Sequence, residues 1–178
     1  MTVMQPWGHA VFYSKMSTTQ KTAQNLLENA LSHLRSQLPD VTFVADNSFR
    51  WDPANQRLHY LDSNNPEQTI MMLLHEAGHA LAGHACFKND LDLLIKEVEA
   101  WSKAKVTAKQ IDMEIDETTV ENCLDSYRHW LDKRSTCPNC SASGYQDEDN
   151  CYRCFNCTSR WWVGADQTTR VCRITAKV

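Results

Sequence analysis

The sequence predicts an α+β protein: helices packed on a small sheet, followed by a small C-terminal β unit. Three observations carry that expectation. Helical and strand-like apolar patterns alternate through the first two thirds of the chain. One helical pattern, apolar on both sides, contains His75-Glu76-Ala77-Gly78-His79. Six of the 8 cysteines fall in the last 42 residues, among short strand-like runs. At 178 residues the chain is long enough for one modest core plus an appendage, and the expected division is 1–134 and 135–178.

Each element has a local reason. Thr18 to Leu38 reads as an amphipathic helix, apolar at Leu26, Leu27, Ala30, Leu31 and Leu34 and stopped by Pro39. Val41 to Val44 is a strand. Phe49-Arg50-Trp51 and Arg57 to Leu61 are two more, joined by a turn at Asp52-Pro53-Ala54-Asn55. A helix then starts at Pro66, with Asn65 as cap and Glu67 at its positive end, and runs to about Ala85. Asn89 or Asp90 caps the next helix, whose apolar positions are Leu91, Leu94, Ile95, Val98 and Trp101. Asp116 or Thr118 opens a last helix through Val120, Leu124, Tyr127 and Leu131.

The H-E-x-x-H stretch is where chemistry is expected. Residues four apart share a helix face, so His75 and His79 can offer two imidazole nitrogens to one metal ion. Glu76 lies one step round the helix, placed to take a proton from a metal-bound water. A catalytic zinc site usually has a third protein ligand. His84 points away from the histidine face if the helix continues, and reaches back only if the helix ends near Gly83. It reads as a surface or helix-end histidine. Glu97 and Glu99 on the following helix are the better candidates, and being two apart they cannot both face one ion.

The C-terminal cysteines read as a second metal site. Cys137-Pro138-Asn139-Cys140 and Cys154-Phe155-Asn156-Cys157 give two C-x2-C pairs separated by thirteen residues, the spacing of a zinc ribbon. Four thiolates close a tetrahedron to water, so this site would be structural. Gly144 to Asp149 supplies a strand and turn, Arg160 to Val163 a second strand, and Arg170 to Ile174 a return after a turn from Gly164 to Gln167. So small an antiparallel sheet would draw folding energy from its metal. Cys151-Tyr152-Arg153-Cys154 is also C-x2-C, but Cys154 with Cys157 is preferred because the aromatic strand then follows directly. Disulfides are not expected. Met1 to Met16 lacks the pattern of a secretory signal, and Cys86 and Cys123 read as buried thiols in helical patterns.

His75-Glu76-Ala77-Gly78-His79 followed by Glu97-Val98-Glu99-Ala100-Trp101 resembles the gluzincin arrangement, and most of all the ImmA/IrrE-type metallopeptidases. The likeness covers about residues 50 to 105. It implies a zincin-like minimal metallopeptidase fold, with Glu97 as the third zinc ligand. The sequence departs from that pattern at Trp101, where the family has the Asn or Asp that would back His75 or His79. SprT-like proteases are a second resemblance, since they too join H-E-x-x-H to a C-terminal zinc ribbon. By the same resemblance the Arg57 to Leu61 strand would offer an edge to an extended substrate.

Charge narrows the partners. Residues 1–134 hold 13 Lys and Arg against 18 Asp and Glu, which argues against a nucleic-acid surface there. Residues 135–178 hold 5 against 4, with Arg153, Arg160, Arg170, Arg173 and Lys177 among Tyr152, Trp161 and Trp162. That surface suits base stacking, or protein docking. No apolar run approaches a membrane span, and a cytoplasmic setting is expected. The expected activity is a zinc-dependent metallo-endopeptidase, regulatory and intracellular, with two zinc ions. A protein or peptide is its substrate, and the ribbon recognises substrate or partner. Tyr127 and His129 are candidate oxyanion stabilisers. The alternative is a non-catalytic, metal-stabilised adaptor that binds nucleic acid or protein through the ribbon.

Overall fold

The computed structural model describes residues 19–63, 65–164 and 173–175, with residues 19–24 and 173–175 as backbone only. The expected α+β class is what it shows. The elements are α1 (Thr19–Gln37), β1 (Thr42–Ala45), β2 (Arg50–Asp52), β3 (Arg57–Tyr60), α2 (Pro66–Leu81), α3 (Asp90–Gln110), α4 (Glu117–Ser135), β4 (Gly144–Glu148), β5 (Cys151–Cys154), β6 (Arg160–Val163) and β7 (Arg173–Thr175). The chain forms two compact units, and the division falls inside α3 and α4. One unit takes the described residues up to Phe87 together with Ile95–Glu121. The other takes Lys88–Leu94 and the described residues from Asn122 onward.

In the first unit a three-stranded mixed sheet has the order β1-β3-β2. β3 pairs parallel with β1, Phe43 opposite Leu58, and antiparallel with β2, Trp51 opposite Leu58. Asp52 makes the β2–β3 turn by accepting the Asn55 backbone N–H at 3.2 Å and its side-chain amide at 2.9 Å. β3 is therefore the central strand, with neighbours on both sides. The expectation that Arg57 to Leu61 offers a free edge is corrected: among the described residues the edges are β1 and β2. Strand order depends on long-range pairing, and local patterning carries no trace of it.

Alternation puts Leu58 on the helix side and His59 on the other. Leu58 joins Leu27, Ala30, Leu31 and Leu34 of α1 and Ile70, Met72, Leu73, Leu74 and Ala77 of α2 in the core. Away from the helices, His59 Nδ1 lies 2.8 Å from Asp46 and its Nε2 3.2 Å from Arg50, pinning all three strand ends. Asn65 caps α2 as expected, accepting the Gln68 N–H at 3.2 Å with Pro66 next in line. Such a cap contributes about 1 kcal/mol.

α3 differs from expectation. Leu91, Ile95 and Val98 form an apolar stripe and are exposed, whereas Glu97, Ala100, Trp101, Ala104, Thr107 and Ala108 are buried. The reason is close approach. A Cβ on Gly78 would come within 2.2 Å of the Ala100 carbonyl oxygen, so α2 and α3 touch backbone to backbone. Small residues, not large apolar ones, make that contact possible.

The second unit carries a four-stranded antiparallel sheet, β4-β5-β6-β7, compatible with the expected zinc ribbon. Cys151 to Cys154, not foreseen as a strand, is its β5. Tyr152, Cys154, Trp161 and Val163 pack beneath it with Cys137. Buried Arg134, from the end of α4, is the hub. Its Nε donates to Asp90 at 2.5 Å, its other nitrogens donate to the Gly164 carbonyl and to Asn150, and its plane lies over Trp130. Tyr152 donates to the same Asp90 at 2.6 Å, and Trp161 to the Arg134 carbonyl at 2.8 Å. Burial, then Asp90, push the Tyr152 phenol well above its usual range, so it stays a donor.

Candidate metal centre

α2 sets the first cluster. His75 and His79 sit one turn apart on its buried face, and Glu97 of α3 comes between them because Gly78 lets the helices meet. His75 Nε2 lies 3.1 Å from Glu97 Oε2, His79 Nε2 is 3.6 Å from Glu97 Oε1, and the two Nε2 atoms are 3.3 Å apart. One ligand atom from each residue falls within 4.8 Å of the others. Two imidazole nitrogens and one carboxylate at this range are a group that could hold a metal ion.

Electrostatics agree with that use. Burial raises the Glu97 pKa, but its bonds to His75 and His79 outweigh that and leave it at about 2. Burial also opposes charge on His79, and Glu97 outweighs it, so that pKa is raised. A buried carboxylate clasped by two imidazoles is ionised and ready for a cation.

Glu76 is buried beside its two neighbours in sequence. Its Oε2 accepts the backbone N–H of Trp51 at 2.8 Å, from the edge strand β2. The Trp51 indole N–H donates to the His84 carbonyl, also at 2.8 Å. Trp101, where the resembled pattern has Asn or Asp, stacks on the His75 ring with centroids 4.2 Å apart and planes at 26°. His75 Nδ1 is buried without a hydrogen-bond partner. On that side of the ring packing against Trp101 takes the place of a polar partner, while Nε2 meets Glu97.

His84 is the residue the sequence understated. It is buried, not on the surface. α2 ends at Leu81, Gly83 takes a φ of 68°, and the N–H groups of His84 and Gly83 bond back to His79 and Ala80, both at 3.0 Å. This left-handed C-terminal turn sends the chain back along the helix. His84 Nδ1 reaches His79 Nδ1 at 2.9 Å, and His84 Nε2 reaches Glu99 Oε2 at 3.2 Å. Burial holds its pKa down. Glu97 and Glu99 diverge as their spacing requires, one to His75 and His79, the other to His84. Tyr127 and His129 lie on α4 in the second unit, and His129 is exposed.

The second cluster is Cys137, Cys140, Cys154 and Cys157, whose sulfurs fall within 4.8 Å of one another. Cys137 and Cys157 Sγ are 3.6 Å apart, Cys140 and Cys154 Sγ 3.5 Å. All four are free thiols. Backbone N–H groups of Asn139, Asn156 and Cys157 point at sulfur, which suits thiolates. The Ser159 hydroxyl holds the Cys157 thiol down at about 6, while burial pushes Cys137 up to about 11. Four sulfurs fit a closed tetrahedral ion. Cys151 stands apart for a geometric reason. It is three residues from Cys154 on one strand, so the two side chains take opposite faces. Cys123 is buried as expected, but Cys86 is exposed and outside any helix. Cys172 lies outside the described residues.

No helix among the described residues is long and apolar enough to cross a membrane. No protein-family model, curated protein or solved structure matches the chain.

Proposed function

We propose that this protein is a zinc-dependent metallo-endopeptidase, with its reaction centre at His75, His79 and Glu97 and a structural zinc at the four cysteines. The observation that carries this reading is the meeting of His75, His79 and Glu97 around one point, with Glu76 buried next to His75 in the chain. A zinc ion held there would supply Lewis acidity to a water and to the scissile carbonyl. Glu76 takes the proton of the attacking water and delivers it to the departing amine. Trp51 fixes where that carboxylate can reach, and the buried surroundings keep bulk water from competing. A site that only held the fold together would need no such carboxylate.

Glu76→Gln is the test. The amide keeps an acceptor for the Trp51 N–H, so zinc content should match the native chain while peptide turnover falls by about a hundredfold or more. Turnover at the native rate in that variant would remove Glu76 from the chemistry.

One observation keeps an adaptor role in view. Phe155 and Tyr145 pack together on the ribbon surface, with Phe155 72% exposed, and Trp162 lies beside Arg160. The cations of this face whose side chains are described, Arg153 and Arg160, are engaged already. Arg153 pairs with Asp147, and Arg160 with Asp147 and Glu148. An aromatic face whose described cations are already paired favours a protein over a phosphate backbone, so we assign the ribbon to substrate or partner recognition.

A further inference from the structure

The histidine cluster has an outer layer that hydrogen-bond accounting resolves. Glu99 is an acceptor when ionised, so His84 must carry its proton on Nε2 to meet it. A neutral His84 then has a bare Nδ1, which can only accept. His79 Nδ1, 2.9 Å away, must therefore donate. That places a proton on His79 Nδ1 and makes Nε2 the nitrogen that can ligate, and Nε2 is the atom that meets His75 and Glu97. With His84 neutral, each link follows from the one before it. The anchor is Glu99 on α3, and the far end is the ligand nitrogen.

We propose that His84 and Glu99 are positioning residues that hold His79 in the one tautomer and orientation able to ligate, with His84 itself not a ligand. This rests on the reading of His75, His79 and Glu97 as a metal centre. Three features support it independently of tautomers. The left-handed turn at Gly83 delivers His84 to His79 rather than to Glu97. The Trp51 indole clamps the His84 backbone. His75 has no polar partner at Nδ1, so the pair is supported unequally, by hydrogen bonds at His79 and by the Trp101 ring at His75. The carboxylate that usually backs a metal-bound imidazole is here delivered through a second imidazole.

The experiment is zinc competition against a chromophoric chelator on the full chain, which separates the cluster from the four-cysteine site by affinity. His84→Ala should weaken zinc at the helical site about ten- to a hundredfold and leave the cysteine site unchanged. Glu99→Ala should weaken it less, and Glu99→Gln less still. His84→Asn, which can accept and donate in the same sense, should recover part of the loss. The double variant His84→Ala with Glu99→Ala should bind no more weakly than His84→Ala alone, because Glu99 acts through His84. Additive losses, or native affinity in His84→Ala, would overturn the proposal. So would a cobalt-loaded His84→Ala whose visible spectrum shows one protein ligand fewer than the native chain. A native chain that takes up zinc only at its cysteines would instead remove the metal centre itself, whatever His84 does. Because Glu99 is half exposed, its variants test the idea even if His84→Ala folds poorly.

Discussion

Trp101 occupies the place where the resembled pattern has a hydrogen-bonding side chain, and its ring does a different job. It is almost fully buried and lies flat on His75. Trp101→Ala should cost about 3–5 kcal/mol in denaturant unfolding of the metal-free protein, with Phe recovering much of that. An unchanged midpoint would mean the stack is incidental. At this scale the sequence was most informative where spacing alone sets geometry. His75 and His79 meet because they are four apart on a helix, and Glu97 followed from its place in a resembled pattern. His84 escaped because its direction depends on one backbone angle at Gly83. The glycine after the last helical residues was the available signal. Read as a left-handed helix end, it would have turned the following histidine back toward His79.

Among the elements, the contact between α2 and α3 decides whether a site exists at all. Gly78 has no room for a methyl group, since the Ala100 carbonyl already fills the space. Gly78→Ala should destabilise the fold by about 1–3 kcal/mol and weaken zinc at the histidine cluster while sparing the cysteines. Calorimetry with zinc titration reads both. In the ribbon unit, Arg134→Ala leaves Asp90 buried without its charged partner and should cost about 3–5 kcal/mol, with Lys a poor substitute because it lacks the planar fork. A loss under 1 kcal/mol would show water replacing the guanidinium. The buried face of α1 was legible from Leu27, Ala30, Leu31 and Leu34, although Leu26 lies outside it, and α2 was legible as a helix apolar enough to be buried nearly all round. That of α3 was not, because alanines and Glu97 lie inward while Leu91, Ile95 and Val98 lie outward. Hydrophobicity ranks side chains; it does not register that two backbones must touch.

For the whole molecule the expectation is two zinc ions per chain by elemental mass spectrometry. Cys140→Ser with Cys157→Ser should lower that to one, and so should His75→Ala with Glu97→Ala. A native count of one would leave only one of the two clusters as a metal site. The α+β class and the cysteine set could be read before any coordinates, since periodicity and C-x2-C spacing are local. The order β1-β3-β2 could not, because it is fixed by which strand finds which across the chain.

One hydrogen bond links these levels. An edge strand carries amides that need a partner, and a strand from another molecule is the usual intruder. In β2 the Trp51 amide is already given to Glu76, and the residue just past the strand, Pro53, has none to give. The carboxylate proposed for proton transfer is therefore also the stopper on that edge. Removing it would uncover a sticky margin, so Glu76→Ala invites aggregation, whereas the glutamine variant keeps the edge closed.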